Sequence, residues 1–326
     1  MSYIKKISAL GLTLIMTVGM IPMTSLAATH RNEWVQKSDG KWYYYDSYGK
    51  KVKYDSREDY DTETGAYKYY VLNSKGARVT SKGWYTTKYR ITEYYNKIKF
   101  TNKYYLKSDG SCTTGWKKIG KKYYYFNSDG KLATSTSVRS KDDTKLYLVG
   151  DDGARITKKG WHQVTYKNFD ETDGEIYTRK EWYYVKTDKT VATKIKKIGK
   201  KKYLFDTDGT LVCNDYVSFY NESKDTYTYY CADKNGVLIT KKGVHKFTES
   251  EKYKGSYYSG KETWNFKVYV GSGGKLVTGL KKIKGKMYYF TPTMRRNGSY
   301  TDYDTNTTYF FDKSGACTKT YKSGTT

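Results

Sequence analysis

An internal repeat constrains the fold of this chain more than any other feature of its sequence. The segment KKIG occurs at 117–120 and again at 196–199, and the related segment KKIK occurs at 281–284. ITKKGWH at 156–162 returns as ITKKGVH at 239–245, and VTSKGWY at 79–85 is a looser copy. Self-similarity at a period of about 80 residues is typical of an array of stacked structural units.

Each period contains three smaller units, and every unit has an aromatic strand, a polar turn with glycine and a short second strand. We name them A, B and C. The short A units cover 34–53, 115–134, 194–213 and 279–294; the B units cover 54–80, 135–157, 214–240 and 295–320; the longer C units cover 83–114, 160–193 and 243–278. The order A-B-C repeats and ends on A-B. We therefore predict one repeat domain over 28–326, with about eleven units and no room for a separate catalytic domain.

The composition favours β-hairpins as the repeated structure. The chain has 40 tyrosines, 29 glycines and only 2 prolines among its 326 residues, which is typical of strands and turns. In the second A unit, Trp116–Ile119 is predicted as a strand, Gly120-Lys121 as the turn and Lys122–Phe126 as the return strand. A lone hairpin is barely stable in water. We therefore predict an all-β solenoid of stacked hairpins, in which aromatic residues supply most of the buried area.

The first 27 residues have the pattern of a signal peptide. Lys5 and Lys6 precede an apolar run from Ile7 to Met20, and Ser25-Leu26-Ala27 places small residues before a cleavage site. Cleavage is predicted after Ala27. The run is short for a membrane-spanning helix, and no later segment is apolar enough to span. We predict a secreted or cell-surface protein without a membrane span in its mature form.

The repeat units resemble a known family. GWKKIGKKYYYFNSDGKLAT at 115–134 and WVQKSDGKWYYYDSYGKKVK at 34–53 are similar to the cell-wall-binding repeats, which include the choline-binding modules of Gram-positive surface proteins. Glucan-binding repeats and the receptor-binding repeats of clostridial toxins carry related units. The resemblance implies a left-handed superhelix with about three hairpins per turn. It also implies a non-catalytic protein that binds cell-wall teichoic acid, choline-decorated polymers or other carbohydrate.

The family's choline sites lie between successive hairpins and are built from the tryptophan of a G-W pair, the first aromatic of W-Y-Y-F and a following tyrosine. A quaternary ammonium is attracted to such rings by cation–π interaction. Packing between hairpins is the alternative role of each ring, because several copies lack the tryptophans. The positions that match are Trp34, Trp42, Tyr44, Trp84, Trp116, Tyr123, Tyr125, Trp161, Trp182 and Tyr184.

Lysines cluster at the turns of the A units. The formal net charge of +27 favours polyanionic partners, although it also suits simple solubility. If three hairpins make one turn, the A-unit tips align into a row that could bind repeating phosphates through salt-sensitive contacts. The candidates are Lys117, Lys118, Lys121, Lys196, Lys197, Lys200, Lys281 and Lys282.

Other classes of function find little support. His162 and His245 occupy equivalent repeat positions, and we find no catalytic constellation, metal motif or cofactor motif. Nucleic acid is not expected as a partner of an exported repeat protein. The four cysteines (Cys112, Cys213, Cys231 and Cys317) are interpreted as small buried residues, with disulfides as the alternative. A structural spacer, or an adhesin that binds host glycan without wall specificity, remains the alternative function.

Overall fold

The computed structural model describes residues 30–93, 96–170, 175–254 and 259–323. The predicted signal peptide and its cleavage site after Ala27 lie outside these residues. Within them the fold is all-β, as predicted: there is no α-helix, and the only helical turns are two short 3-10 segments, Glu222–Lys224 and Ser272–Gly274. No helix in the described ranges is both long and apolar enough to cross a membrane.

Twenty-three strands are present in the described part of the chain. In chain order they are β1 Glu33–Gln36, β2 Trp42–Tyr45, β3 Ser56–Asp61, β4 Ala66–Val71, β5 Gly83–Glu93, β6 Asn96–Leu106, β7 Gly115–Ile119, β8 Lys122–Phe126, β9 Thr136–Arg139, β10 Leu146–Val149, β11 Gly160–Asp170, β12 Glu175–Val185, β13 Lys194–Ile198, β14 Lys201–Phe205, β15 Tyr216–Asn221, β16 Thr226–Cys231, β17 Gly243–Lys254, β18 Ser259–Val270, β19 Gly279–Ile283, β20 Lys286–Phe290, β21 Gly298–Asp302, β22 Thr307–Phe311 and β23 Cys317–Lys322.

Consecutive strands pair into eleven antiparallel hairpins in these residues. We name them A1 (β1–β2), B1 (β3–β4), C1 (β5–β6), A2 (β7–β8), B2 (β9–β10), C2 (β11–β12), A3 (β13–β14), B3 (β15–β16), C3 (β17–β18), A4 (β19–β20) and B4 (β21–β22, with β23 as a third strand). The C hairpins are the longest, with strands of 11 or 12 residues. In A2 the strands predicted at Trp116–Ile119 and Lys122–Phe126 are confirmed, because Trp116 pairs with Tyr125 across a turn at Gly120-Lys121.

One repeated backbone hydrogen bond joins the hairpins in series. After each hairpin the chain makes a polar turn, and a residue beyond that turn donates its amide to a carbonyl in the second strand of the preceding hairpin. Leu132 N, for example, donates to Lys103 O at 2.8 Å, and Arg155 N donates to Tyr123 O at 2.8 Å. We name the donors closing residues; they are Arg78, Cys112, Leu132, Arg155, Val191, Leu211, Leu238, Leu276 and Met294.

The turn that precedes a closing residue packs on the preceding repeat. Gly209, in the turn after A3, has φ +81°, and a Cβ there would overlap Cγ1 of Val191, the closing residue of the C2 repeat. Glycine is therefore required for two reasons: the backbone is left-handed, and the Val191 side chain fills the space that a Cβ would need. This contact and the closing hydrogen bond of Leu211 fix the A3 hairpin against C2.

The core is a series of small clusters between consecutive hairpins. The interface of B1 and C1 buries Val71, Val79, Tyr104, Leu106 and Cys112. Equivalent clusters lie between B2 and C2 and between B3 and C3. Two further clusters lie at the A2–B2 and A3–B3 interfaces. Each cluster joins two neighbours, as expected for a repeat protein whose stability comes largely from nearest-neighbour interfaces.

Aliphatic residues supply more of the fully buried core than the composition suggested. Among the twelve largest fully buried side chains of the described residues, only Tyr104, Phe126, Phe205 and Phe290 are aromatic, and the other eight are leucine or valine. The fully enclosed core is therefore mainly aliphatic, whereas the share of aromatic residues in the total buried area stays a prediction. The physical reason is size: small interfaces enclose valine and leucine completely, whereas many tyrosines and tryptophans remain at the edges of the interfaces, partly exposed.

Candidate ligand-binding sites between hairpins

Three kinds of interface alternate along the chain, and each of the first two B–C interfaces buries a tyrosine as core. Tyr104 of C1 is completely buried against B1, and Tyr183 of C2 is 2% exposed. Burial raises the pKa of both phenols. The G-W tryptophan position of the first two B hairpins holds Ser56 and Ser137. Without an indole, these interfaces lack the tryptophan-containing ring group, although Tyr166 and Tyr183 line a cavity beside the B2–C2 interface.

The A1–B1 interface groups three aromatic rings. Trp34 lies opposite Tyr44 on the neighbouring strand, with ring centroids 5.4 Å apart and the planes at 69°. Tyr70, from the next hairpin, contributes the third ring at 6.1 Å and 87°. The indole Nε1 of Trp34 donates to Glu58 O at 2.8 Å. The tryptophan is therefore fixed in orientation by a hydrogen bond to the following hairpin.

The A2–B2 interface repeats this arrangement. Trp116 lies opposite Tyr125 at 5.3 Å, and Tyr147 from the next hairpin stands 5.4 Å away at 87°. The indole Nε1 of Trp116 donates to Arg139 O at 3.0 Å. The recurrence of both the ring geometry and the hydrogen bond shows that the A–B interface is a repeated structure.

The C1–A2 interface forms a similar group with a more exposed indole. Trp84 stands nearly perpendicular to Tyr105 of its own hairpin at 5.4 Å and to Tyr124 of the next hairpin at 5.2 Å. Phe126 lies behind it at 5.8 Å and is fully buried. Trp84 is 45% exposed, so part of its ring faces solvent beside two tyrosines.

The C2–A3 interface has the same composition. Trp161 contacts Tyr184 at 5.3 Å and Tyr203 at 4.9 Å, both at 70°. Phe205 lies 5.8 Å behind it. Trp161 is 36% exposed. Within the part of the chain that the structure describes, neither Trp84 nor Trp161 makes an indole hydrogen bond. We name these two ring sets, Trp84/Tyr105/Tyr124 and Trp161/Tyr184/Tyr203, the open aromatic groups.

Later copies of both interfaces lose the tryptophan. Ile195 in A3 and Leu280 in A4 stand at the position of Trp116, and Val244 in C3 stands at that of Trp161. At A3–B3 a surface groove of about 650 Å³ borders Ile195 and Tyr230. Among the described residues, the aromatic groups with tryptophan are therefore confined to the A1–B1, C1–A2, A2–B2 and C2–A3 interfaces.

The structure divides the aromatic residues that the sequence singled out. Trp34, Tyr44, Trp84, Trp116, Tyr125, Trp161 and Tyr184 belong to the four groups. Trp42, Tyr123 and Trp182 lie two pairs further toward the hairpin tips, opposite Gln36, Lys118 and Gln163. All three are at least 40% exposed, and none contacts another ring in the described residues.

Sequence reasoning missed the ring that the next hairpin supplies. In every group the closing residue forms a β-bridge with a residue at the end of its own hairpin, as Leu132 does with Phe126. The missed ring belongs to the tyrosine two positions before that bridge partner, which is Tyr124 in this example. These tyrosines are Tyr70, Tyr124, Tyr147 and Tyr203. Tyr105, opposite Trp84, was missed as well. Their fixed place in the repeat was the available signal, but only the structure shows which face of the strand meets the preceding hairpin.

The predicted lysines lie at the A-hairpin tips and remain unpaired. Lys117, Lys118, Lys121, Lys196, Lys197, Lys200 and Lys282 are exposed, and Lys281 is half-buried. None of these eight forms an ion pair with another described residue. Lys118 Nζ lies 5.9 Å from the Tyr123 ring centroid, and Lys281 Nζ lies 5.7 Å from that of Tyr269. Their charge is thus available to an anionic partner.

The cysteines are free thiols in the structure. Cys112 and Cys231 are buried, as expected for core residues, and burial raises the pKa of each thiol to about 12. Cys213 is exposed and Cys317 is intermediate, which corrects the expectation of small buried residues at these two positions. No disulfide links the four. Across the described ranges no group of histidine, cysteine and acidic side chains is arranged to hold a metal ion.

Two family models match the chain at these units. A choline-binding repeat model matches residues 113–161, which span A2 and B2 as far as Trp161. A cell wall binding repeat model matches residues 32–50, which form A1. The two matched segments carry repeats of the cell-wall-binding, choline-binding family. The predicted family resemblance is thereby confirmed.

Comparison with curated proteins finds sugar-transferring enzymes. Glucosyltransferase-S of Streptococcus mutans is 30% identical over 189 residues, which cover 58% of this chain and 10% of the relative. Glucosyltransferase-I of Streptococcus downei is 25% identical over 224 residues, 57% of this chain and 13% of the relative. This repeat chain therefore corresponds to only about a tenth of the length of these relatives.

Among solved structures, choline binding protein F of Streptococcus pneumoniae is 19% identical, with a TM-score of 0.33, and the match covers 88% of this chain and 92% of that one. Alternansucrase in complex with isomaltononaose is 15% identical, with a TM-score of 0.32, and the match covers 87% of this chain and 18% of that one.

Proposed function

We propose that this chain is an exported, non-catalytic protein that binds a cell-wall polymer through the two open aromatic groups. The observation that supports this proposal is the geometry of the two groups. At the C1–A2 and C2–A3 interfaces a partly exposed tryptophan stands at 70–82° to two tyrosines, one from each of two hairpins. The same set of one tryptophan and two tyrosines occurs at two equivalent positions of the repeat. This recurrence favours a polymeric ligand whose chemical groups also repeat.

The chemistry of these groups suits a quaternary ammonium such as choline. Ring faces carry partial negative charge, and tryptophan gives the strongest cation–π attraction. No lysine or arginine of the described residues lies over the rings of Trp84 or Trp161. The family described as choline-binding repeats matches the segment that contains Tyr124 and Trp161. A sugar ring stacked on the exposed indole is the other ligand that this surface admits.

We further propose that the hairpins wind into a left-handed superhelix with about three hairpins per turn. A cavity of about 610 Å³ supports this, because residues of A2, B2, C2 and A3 all line it. Contacts between B hairpins and the turn two hairpins further on also support it: Lys131 pairs with Asp55 at 3.1 Å, and Arg139 pairs with Asp208 at 3.3 Å.

In such a superhelix the A-hairpin tips recur on one side, and their lysines form a row. The phosphates of a teichoic acid would then contact the lysines while its choline groups enter the open aromatic groups. Each lysine contact is weak and screened by salt. Two aromatic sites on one chain raise the overall affinity for a polymer well above that of one site, since the second event is intramolecular.

Binding to purified cell walls tests the proposal. The full chain is incubated with walls that retain or lack teichoic acid, and the bound fraction is measured against free choline and against NaCl up to 1 M. The variants are Trp84→Ala, Trp161→Ala and the double variant. Trp264→Ala is the control, because Trp264 is 42% exposed and belongs to none of the four groups. Circular dichroism verifies that each variant is folded.

We expect choline to release the protein and the double variant to bind at least about tenfold more weakly, because avidity is lost. The control should bind as the unmodified chain does. Release by salt alone, with no effect of choline, would assign binding to the lysines. Retention on host glycans but not on walls would favour the adhesin, and no retention on either would favour a structural spacer.

A further inference from the structure

Two arginines lie on the aromatic groups of the A–B interfaces. The guanidinium carbon of Arg78 is 3.2 Å from the Tyr70 ring centroid and 6.0 Å from that of Trp34. The guanidinium carbon of Arg155 is 3.7 Å from the Tyr147 ring centroid. Each arginine thus presents a cation to a ring of the group at its own interface.

Both guanidinium groups are set into the interface. The Arg78 side chain is 18% exposed. The Nε atoms of Arg78 and Arg155 are buried and have no hydrogen-bond partner. Arg78 makes one long ion pair, to Asp59 at 3.8 Å, and Arg155 donates to Lys189 O at 3.4 Å. Both polar contacts are long, and each guanidinium lies over the face of a tyrosine ring, which attracts a cation.

These arginines are exceptions at their repeat position. Both are closing residues, and their backbone amides make the same bond to the preceding hairpin as the others do. The remaining seven closing residues in the described ranges are all apolar: Cys112, Leu132, Val191, Leu211, Leu238, Leu276 and Met294. The position itself therefore requires no charge, and the backbone bond is independent of the side chain.

The arginine occurs where the A hairpin has its tryptophan. Trp34 accompanies Arg78, and Trp116 accompanies Arg155. At A3–B3, where Ile195 replaces the tryptophan, the closing residue is Leu238. The C1–A2 and C2–A3 interfaces have the tryptophan with an apolar closing residue: Trp84 occurs with Leu132, and Trp161 occurs with Leu211. Within one chain, the cation thus accompanies the three-ring group at A–B interfaces and is absent at C–A interfaces.

We propose that Arg78 and Arg155 are built-in cations that occupy the A1–B1 and A2–B2 aromatic groups and prevent an external ammonium from binding there. The arginines then restrict ligand binding to the C–A interfaces and set the number of aromatic sites at two instead of four. Two independent observations carry this: the position of each guanidinium on its ring, and the pairing of arginine with tryptophan along the chain. The inference rests on the proposed function only in taking a quaternary ammonium as the ligand.

The test removes the built-in cations and measures choline binding by the full chain. Arg155→Leu and Arg78→Leu are the main variants, since Leu238 stands at the same position in B3. Arg155→Lys is the matched control, because it retains the charge. Choline is titrated while near-ultraviolet circular dichroism reports on the aromatic groups. The variants are made both in the unmodified chain and in the Trp84→Ala/Trp161→Ala background, which lacks the open groups.

In the Trp84→Ala/Trp161→Ala background we expect no saturable choline signal. Adding Arg78→Leu or Arg155→Leu should restore such a signal, whereas adding Arg155→Lys should not. In the unmodified chain, the double leucine variant should double the choline-induced amplitude. The inference is overturned if both single leucine variants retain the far-ultraviolet spectrum of their parent and gain no choline response in either setting. A chain that binds choline only after Arg155→Leu would refute the proposed function while supporting this inference.

Discussion

The contact between a turn glycine and the closing residue of the preceding repeat yields a quantitative prediction. Gly209→Ala introduces a Cβ at φ +81°, where it overlaps Cγ1 of Val191 and lies 3.2 Å from both Ala192 O and Leu146 Cδ2. The left-handed backbone costs an alanine about 1–2 kcal/mol. Val191 is 3% exposed and cannot move freely, so overpacking adds about 1–3 kcal/mol. We expect a total loss of about 2–5 kcal/mol.

Gly285→Ala is the matched control. Gly285 has φ +83° and no atom within 4 Å of the position of a Cβ. It should cost only the backbone term of about 1–2 kcal/mol. The difference between the two variants therefore isolates the contact between repeats. In a Val191→Ala background, which lacks the overlapping atom, Gly209→Ala should cost about 1–3 kcal/mol less than in the unmodified chain.

Urea unfolding followed by circular dichroism measures the overall effect. Repeat arrays can unfold in parts, so hydrogen exchange at the closing amides of Val191 and Leu211 should be followed as well. These amides should exchange faster in Gly209→Ala and retain their protection in Gly285→Ala. Equal losses at the two glycines, or equal losses with and without Val191→Ala, would refute the idea that repeats are locked together through this contact.

Three further predictions concern single side chains. Burial raises the pKa of Asp206, so its folded-state pKa exceeds the unfolded value. The contribution of Asp206 to stability therefore falls as the pH rises from the unfolded-state pKa to the folded-state pKa. Asp206→Asn should flatten this pH dependence in thermal melts and should not destabilise the protein at pH 7. Trp116→Phe removes an indole hydrogen bond that Trp84 lacks, and in urea titrations it should cost about 0.5–1.5 kcal/mol more than Trp84→Phe; equal costs would contradict this. Cys213 should react with a thiol reagent in the native protein, whereas Cys112 should react only after unfolding; equal native rates would mean that the core opens readily.

The repeat in the sequence determined the secondary structure and the order of the hairpins. Strands, glycine turns and the alternation of short and long units are local properties, because side-chain period and turn chemistry act over a few residues. The A2 hairpin follows from residues 115–126 alone. The family resemblance indicated Trp34, Trp84, Trp116 and Trp161 as candidates, and it also indicated the kind of ligand.

Only the tertiary structure decided which rings meet and which of them stay open. A pairing such as Trp84 with Tyr124 joins residues of two hairpins, and its geometry depends on how far one hairpin is rotated against the next. The sequence supplies a tryptophan and two tyrosines to each of the four groups. The A–B and C–A groups differ in the closing side chain, which is an arginine on a tyrosine ring at Arg155 and an apolar residue at Leu211. They also differ in the indole, which donates a hydrogen bond at Trp116 and none at Trp161 among the described residues. Contacts of this kind depend on position in space, which no local pattern of residues encodes.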